Sequence, residues 1–219
     1  MFEAVIFDWD GTLADTRRVV VASFQKVLSK IHCIISDEFI ERRIGIGAAE
    51  TFREILQTSR ISFDEASIKL LVDKKIQAEI DLSSKVELFT GAIELLLSLQ
   101  GRVKLALASM NNRAVIEHIC NWLNMRRFFD VIVTVDEIRY PKPDPEIFSK
   151  SALELRSLPE KCVVLEDSLF GVKAAKAAKM GCIAVLTGVY SREELKKANP
   201  DLIVHSLDEK AKILNFVLQ

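Results

Sequence analysis

"EAVIFDWDGTLADT", Glu3 to Thr16, starts with an apolar run, Ala4 to Phe7, and then places the acids Asp8, Asp10 and Asp15 within a few residues of its end. A continuous run of this kind suits a strand buried on both faces, as in a parallel sheet. Side chains alternate along a strand, so Asp8 and Asp10 share one face while Trp9 points to the other. Two like charges crowded at the end of a buried strand are costly unless a cation lies among them. Gly11 lets the chain turn sharply there and leaves main-chain N–H groups free to face an anion.

Outward from this stretch, similar runs recur, each ending in polar residues: Val103 to Ser109, Val131 to Glu137, Cys162 to Asp167 and Cys182 to Gly188. Helix-patterned segments separate them, at Gly91 to Gly101, Asn112 to Asn124 and Ser168 to Gly181, with Asp144 and Pro145 as an N-cap and first-turn pair for another. Strand and helix in alternation predict a doubly wound α/β parallel sheet. From Thr16 to Val86 only helical periodicity is found. That interval reads as a small helical domain inserted after the first strand, hinged at Leu13 to Arg17 and Ser83 to Thr90. The expected division is therefore 1–15 with 87–219 as the core and 16–86 as the insertion.

The 219 residues are 49% hydrophobic and 28% charged, an ordinary soluble balance. A net charge of −1 provides no global attraction to nucleic acid or to an anionic membrane, so neither is an expected partner. Glu3 and Asp8 arrive before any apolar signal region could form, and no apolar stretch is long enough to span a bilayer. The four cysteines show no CxxC spacing and read as buried free thiols. A cytoplasmic location is expected, with a monomer or weak homodimer as the assembly.

Ligands of an open parallel α/β sheet bind beyond the carboxyl ends of its strands. The sequence delivers Asp8 and Asp10 after the first strand and Ser109, Met110 and Asn111 after the second. Lys142 follows the third, in "YPKPDP", and Glu166 and Asp167 end the fourth. Oxygen-only ligands of this kind favour a hard cation, and a few carboxylates with water and a substrate phosphate are the usual setting of Mg2+.

"DWDGTLADT", "ALASMNN", "YPKPDPEIF" and "VVLEDSLFGVKAAKAAKMG" resemble the four successive motifs of the haloacid dehalogenase superfamily. The subgroup resembled carries a helical cap after its first motif and includes β-phosphoglucomutase and phosphoglycolate phosphatase. The resemblance covers the core; the insertion agrees in position and helicity only. It implies a Rossmann-like core and an Mg2+-dependent phosphatase acting on small phosphate monoesters, with a phosphoglycolate- or sugar-phosphate-like preference. It makes Asp8 the nucleophile, through an aspartyl phosphate, and Asp10 the general acid and base. Ser109 and Lys142 would hold the phosphoryl group, with Trp9, Met110 and Asn111 beside them. Asp8, the Asp10 carbonyl, Glu166 and Asp167 would bind the metal. Relatives reading GDSxxD carry the second acid four residues after the first; here that position is Gly171, and Glu166 stands where they have glycine.

Two other readings compete. A phosphomutase of the β-phosphoglucomutase kind would carry a histidine where Val20 stands and a phosphate-gripping arginine near Ala48. A non-catalytic phosphoryl-binding module could use the same scaffold. The expected substrate contacts are Asp15 at the hinge and Arg43, Gly45 and Gly47 in "RRIGIGAAET". Arg42, Arg43, Arg53, Lys74 and Lys75 are the cations that could grip a charged tail. Asp15 and Thr16 can equally cap the helix that follows.

Overall fold

The computed structural model describes all 219 residues. In chain order the elements are β1 (Ala4–Phe7), β2 (Ala14–Asp15), α1 (Arg17–Leu28), α2 (Asp37–Glu41), α3 (Ala48–Thr58), α4 (Glu65–Leu82), β3 (Glu87–Leu88), α5 (Ala92–Leu99), β4 (Lys104–Ser109) and α6 (Arg113–Trp122). They continue with β5 (Val131–Thr134), α7 (Glu146–Glu154), β6 (Cys162–Glu166), α8 (Leu169–Ala177), β7 (Gly181–Val185), α9 (Arg192–Lys197), β8 (Leu202–Val204) and α10 (Lys210–Leu218). Six strands form one sheet in the order β5-β4-β1-β6-β7-β8, and every neighbouring pair is parallel.

The apolar runs are buried on both faces. Val5, Phe7, Leu105, Leu107, Val163 and Leu165 join one core layer, and Ala4, Ile6, Ala106, Ala108 and Val164 join the layer on the opposite face. With β1 in the middle, Phe7 lies level with Leu107 on β4 and Leu165 on β6. The polar residues following these three strands therefore emerge side by side.

The helices α1 to α4 form the insertion and carry their own apolar cluster, with Phe24, Phe52, Ile55 and Leu56 at its centre. The aromatic rings of Phe24 and Phe52 lie 4.7 Å apart. Where the chain leaves and re-enters the core, β2 and β3 pair antiparallel, Ala14 with Leu88 and Asp15 with Glu87. This ribbon falls inside both expected hinges, and its two-residue strands are too short to leave a pattern in sequence.

Two local readings are corrected, and one strand is added. The run from Val131 stops as a strand at Thr134, because Thr134 and Glu137 form a reciprocal capping box that turns the chain. Strand β8 has only three residues and was not legible as a run. The α7 helix starts at Glu146 with Pro145 at its N-cap, one residue later than expected, although Asp144 Oδ1 still accepts the Glu146 N–H at 2.9 Å. No helix is long and apolar enough to cross a membrane. All four cysteines are buried and free, as expected.

Candidate active site

Asp8 is the first residue beyond β1, and its N–H still bonds the Leu165 carbonyl at 3.0 Å. This holds its side chain beside Glu166, the last residue of β6. Lys142, from the loop between β5 and α7, reaches between them. Its ammonium donates to Asp8 Oδ1 at 2.7 Å and Glu166 Oε1 at 2.6 Å, and lies 4.8 Å from the Phe148 ring centroid. Burial alone would lower the Lys142 pKa, but the carboxylates of Asp8 and Glu166 outweigh it and hold the ammonium above its ordinary range.

Oxygens of Asp8, Glu166 and Asp167 all lie within 4.8 Å of one another. Burial pushes the Asp8 carboxyl up to about 8 against the pull of Lys142, with Glu166 and Asp10 adding to the rise. Burial also raises Asp167 well above the carboxylate range, reinforced by Glu166 and Asp8. One lysine thus leaves this cluster short of positive charge. Three converging carboxylates with no nitrogen or sulfur donor fit a hard divalent cation. The Asp10 side chain is not part of this group.

The surrounding glycines are explained by contact. A Cβ on Gly171 would fall 1.7 Å from Glu166 Oε1. Glu166 therefore fills the space that a side chain at position 171 would take. Its other oxygen accepts the N–H and hydroxyl of Ser168, at 2.8 and 2.9 Å. Asp167 is enclosed in the same manner: a Cβ would come within 2.3 Å of its Oδ2 from Gly11 and within 1.9 Å from Gly188. Gly11 also needs its φ of +84°.

Asp10 faces a separate space. Thr16 donates its hydroxyl to Asp10 Oδ1 at 2.7 Å, and Ser109 donates to Oδ2 at 3.2 Å. Thr16 is the N-cap residue of α1 but makes no side-chain cap bond, so the capping role expected of it gives way to this contact. Asp15 is exposed and lines a second cleft with Gly11 and Asp167 rather than meeting Asp10. Burial first, and Glu79 second, raise the Asp10 pKa. The N–H groups of Trp9, Asp10 and Met110 have no acceptor within the protein, while the Asn111 N–H bonds Ser109 Oγ at 3.0 Å. Trp9 contributes only main chain here; its ring is fully buried in the core layer of Phe7 and Leu13.

The insertion closes over Asp10. A narrow cleft is lined by Asp10, Met110 and Asn111 from below and by Val20, Phe24, Arg43, Gly45, Gly47, Ala48 and Lys75 from above. Gly45 and Gly47 have φ of +107° and +91°, and an added Cβ would press on Ser168 Oγ and Met110 Cε, each at 3.2 Å. Of the other candidate cations, Arg42 pairs with Glu194, Arg53 pairs with Glu50 and Glu65, and Lys74 lines a separate surface pocket. Glu79 was missed. A buried acid on an amphipathic helix carries no signal until its partners, Lys75 and Asn111, are known.

The sequence profile of the haloacid dehalogenase-like hydrolases matches residues 5–185. The chain belongs to that family. Within it, the chain sits among phosphoric monoester hydrolases. It is 33% identical over 178 residues to the "phosphorylated carbohydrates phosphatase" of Thermotoga maritima, covering 80% of this chain and 81% of that one. Among solved structures, CbbY from Rhodobacter sphaeroides in complex with phosphate superposes with a TM-score of 0.84 at 29% identity, over 95% of this chain and 96% of that one. β-Phosphoglucomutase from Clostridium difficile gives 0.86 at 27% identity over the whole of both chains.

Proposed function

We propose that this protein is an Mg2+-dependent phosphatase of small phosphate monoesters that works through an aspartyl phosphate on Asp8. The observation that carries the reading is the split between the two aspartates. Asp8 sits with Lys142, Glu166 and Asp167, whereas Asp10, two residues on, faces the cleft with Thr16 and Ser109. In the proposed mechanism one carboxylate attacks and the other moves a proton.

In this reading Asp8 attacks phosphorus, the bond from phosphorus to the ester oxygen breaks, and the leaving oxygen takes the proton of the Asp10 carboxyl. Water then attacks the phosphoenzyme while Asp10 takes its proton, and rupture of the Asp8–phosphorus bond releases phosphate. Asp10, with its raised pKa, is suited to hold that first proton. Lys142, Ser109 and the unengaged N–H groups of Trp9, Asp10 and Met110 bind the phosphoryl oxygens. Asp8, Glu166, Asp167 and the Asp10 carbonyl hold Mg2+, which supplies positive charge against the developing phosphoryl charge. Residues 1–15 and 87–219 make the catalytic core and 16–86 the cap that selects the leaving group through Arg43, Gly45 and Gly47, with Asp15 at the hinge.

Hydrolysis is favoured over transfer to a second hydroxyl because Val20 and Ala48, which line the cleft, stand where the resembled mutase carries a histidine and a phosphate-gripping arginine. The test is phosphate release from p-nitrophenyl phosphate. Activity should need Mg2+, vanish with chelator and return on adding the metal back. Binding of phosphate without any turnover would identify a non-catalytic module instead.

A further inference from the structure

Two cations line the cleft over Asp10, and both are already paired. Arg43 donates to Glu54 and, at 3.0 Å, to the Phe39 carbonyl, with its guanidinium 3.4 Å from the Phe39 ring centroid. Lys75 is more tightly held. Its buried ammonium bonds Glu79, one turn along α4, and lies 3.3 Å from Asn111 Oδ1. Glu79 is fully buried and accepts the Asn111 amide at 2.6 Å on its other oxygen. A cap helix and the loop after β4 are thereby joined by one closed network. The remaining walls, Val20, Phe24, Ala48 and Thr51, carry no charge.

We propose that Glu79 makes this cleft selective for phosphate monoesters whose leaving alcohol is uncharged, by keeping the Lys75 charge in a closed pair. The inference rests on the phosphatase reading and names its substrate class. For a carboxylate or second phosphate to use Lys75, it must break a pair whose partners are both out of water, stranding Glu79. Otherwise it must lie beside the Glu79 carboxylate and be repelled. Breaking a buried pair, or placing like charges together, is heavily penalised. A hydroxylated neutral tail meets neither penalty. This is selection by an unfavourable arrangement against the wrong ligand.

The test uses sn-glycerol 1-phosphate and 3-phospho-D-glycerate, which share the arrangement at C2 and differ only in a CH2OH group against a carboxylate, with 2-phosphoglycolate as a second anionic ester. The wild-type kcat/KM should favour glycerol phosphate by about tenfold or more, as expected for one mismatched charge. Glu79→Gln frees the Lys75 charge and should narrow that ratio by about fivefold or more, mainly through a lower KM for phosphoglycerate. Equal or better use of phosphoglycerate by the wild type overturns the inference, as does an unmoved ratio in a folded Glu79→Gln protein. If that variant does not fold, the wild-type ratio alone decides. Failure of these esters and of p-nitrophenyl phosphate alike would instead bring down the phosphatase reading beneath it.

Discussion

The Glu166 carboxylate lies where any side chain at position 171 would stand, and the two residues therefore have to change together. Gly171→Ala should cost about 1–3 kcal/mol of stability, because its methyl group displaces the Glu166 carboxylate, which is buried and bonded to Lys142 and Ser168. Urea unfolding would measure it. The exchange Glu166→Gly with Gly171→Asp should recover more metal-dependent activity than Gly171→Asp alone. The cluster acids should also separate in their effects. Asp167 has a single side-chain partner, Thr12 at 3.3 Å, so Asp167→Ala should raise the Mg2+ requirement with little loss of stability. Glu166→Ala should raise the Mg2+ requirement and also lower stability, since Lys142 then loses a buried partner. Asp8→Asn should leave a folded protein with under about one per cent of wild-type turnover, because an amide cannot act as the nucleophile. Circular dichroism and single-turnover assays would read the two halves of that expectation.

Among the elements, α9 and the loop after α2 tie cap to core away from the cleft. Arg42 donates to Glu194 Oε1 at 2.5 Å, lies 4.9 Å from the Tyr190 ring centroid, and lends its carbonyl to the Tyr190 hydroxyl at 2.6 Å. Glu194 is also the acidic half of a capping box with Ser191. The Ser191 N–H first, then Arg42 and the Ser191 hydroxyl, bring its carboxyl down to about 2. A folded pKa below the unfolded one means that this contact stabilises fully above the ordinary carboxylate value of about 4.5 and is lost as the pH falls towards 2. The destabilisation of Glu194→Gln relative to wild type should therefore be larger at pH 7 than at pH 3, measured as the difference in urea midpoint at each pH. An equal difference at both would remove the carboxylate from this role.

Over the whole molecule, a parallel sheet concentrates acids at one edge and a helical insertion closes over them. Three carboxylates within 4.8 Å of one another repel in the metal-free protein, so excess Mg2+ should raise Tm and chelator should lower it. Val20 and Ala48, which line the cleft over Asp10, bear on what would follow if Asp8 is phosphorylated as proposed. Phosphate should be released from monoesters, with no conversion of β-glucose 1-phosphate to glucose 6-phosphate. A coupled assay that finds this isomerisation faster than phosphate release would reverse the assignment in favour of a mutase.

The strand runs before β8, the parallel sheet, the helical insertion, and the meeting of Asp8 with Lys142, Glu166 and Asp167 and of Asp10 with Ser109 were legible in the amino-acid sequence. Burial on both faces writes continuous apolar runs, and parallel strands must end on one edge, so local pattern suffices to bring distant residues together. The capping box that stops β5, the two-residue ribbon β2–β3 and the three-residue β8 were not, because so short a segment has no period. Nor were the partners of Thr16, Arg43 and Lys75. Thr16 forgoes the helix end for Asp10, and Lys75 is committed to Glu79 and to Asn111, 36 residues away. Which residues carry charge is a property of the chain; which of those charges remain free to meet a substrate was decided only when the cap packed against the core and took water away from them.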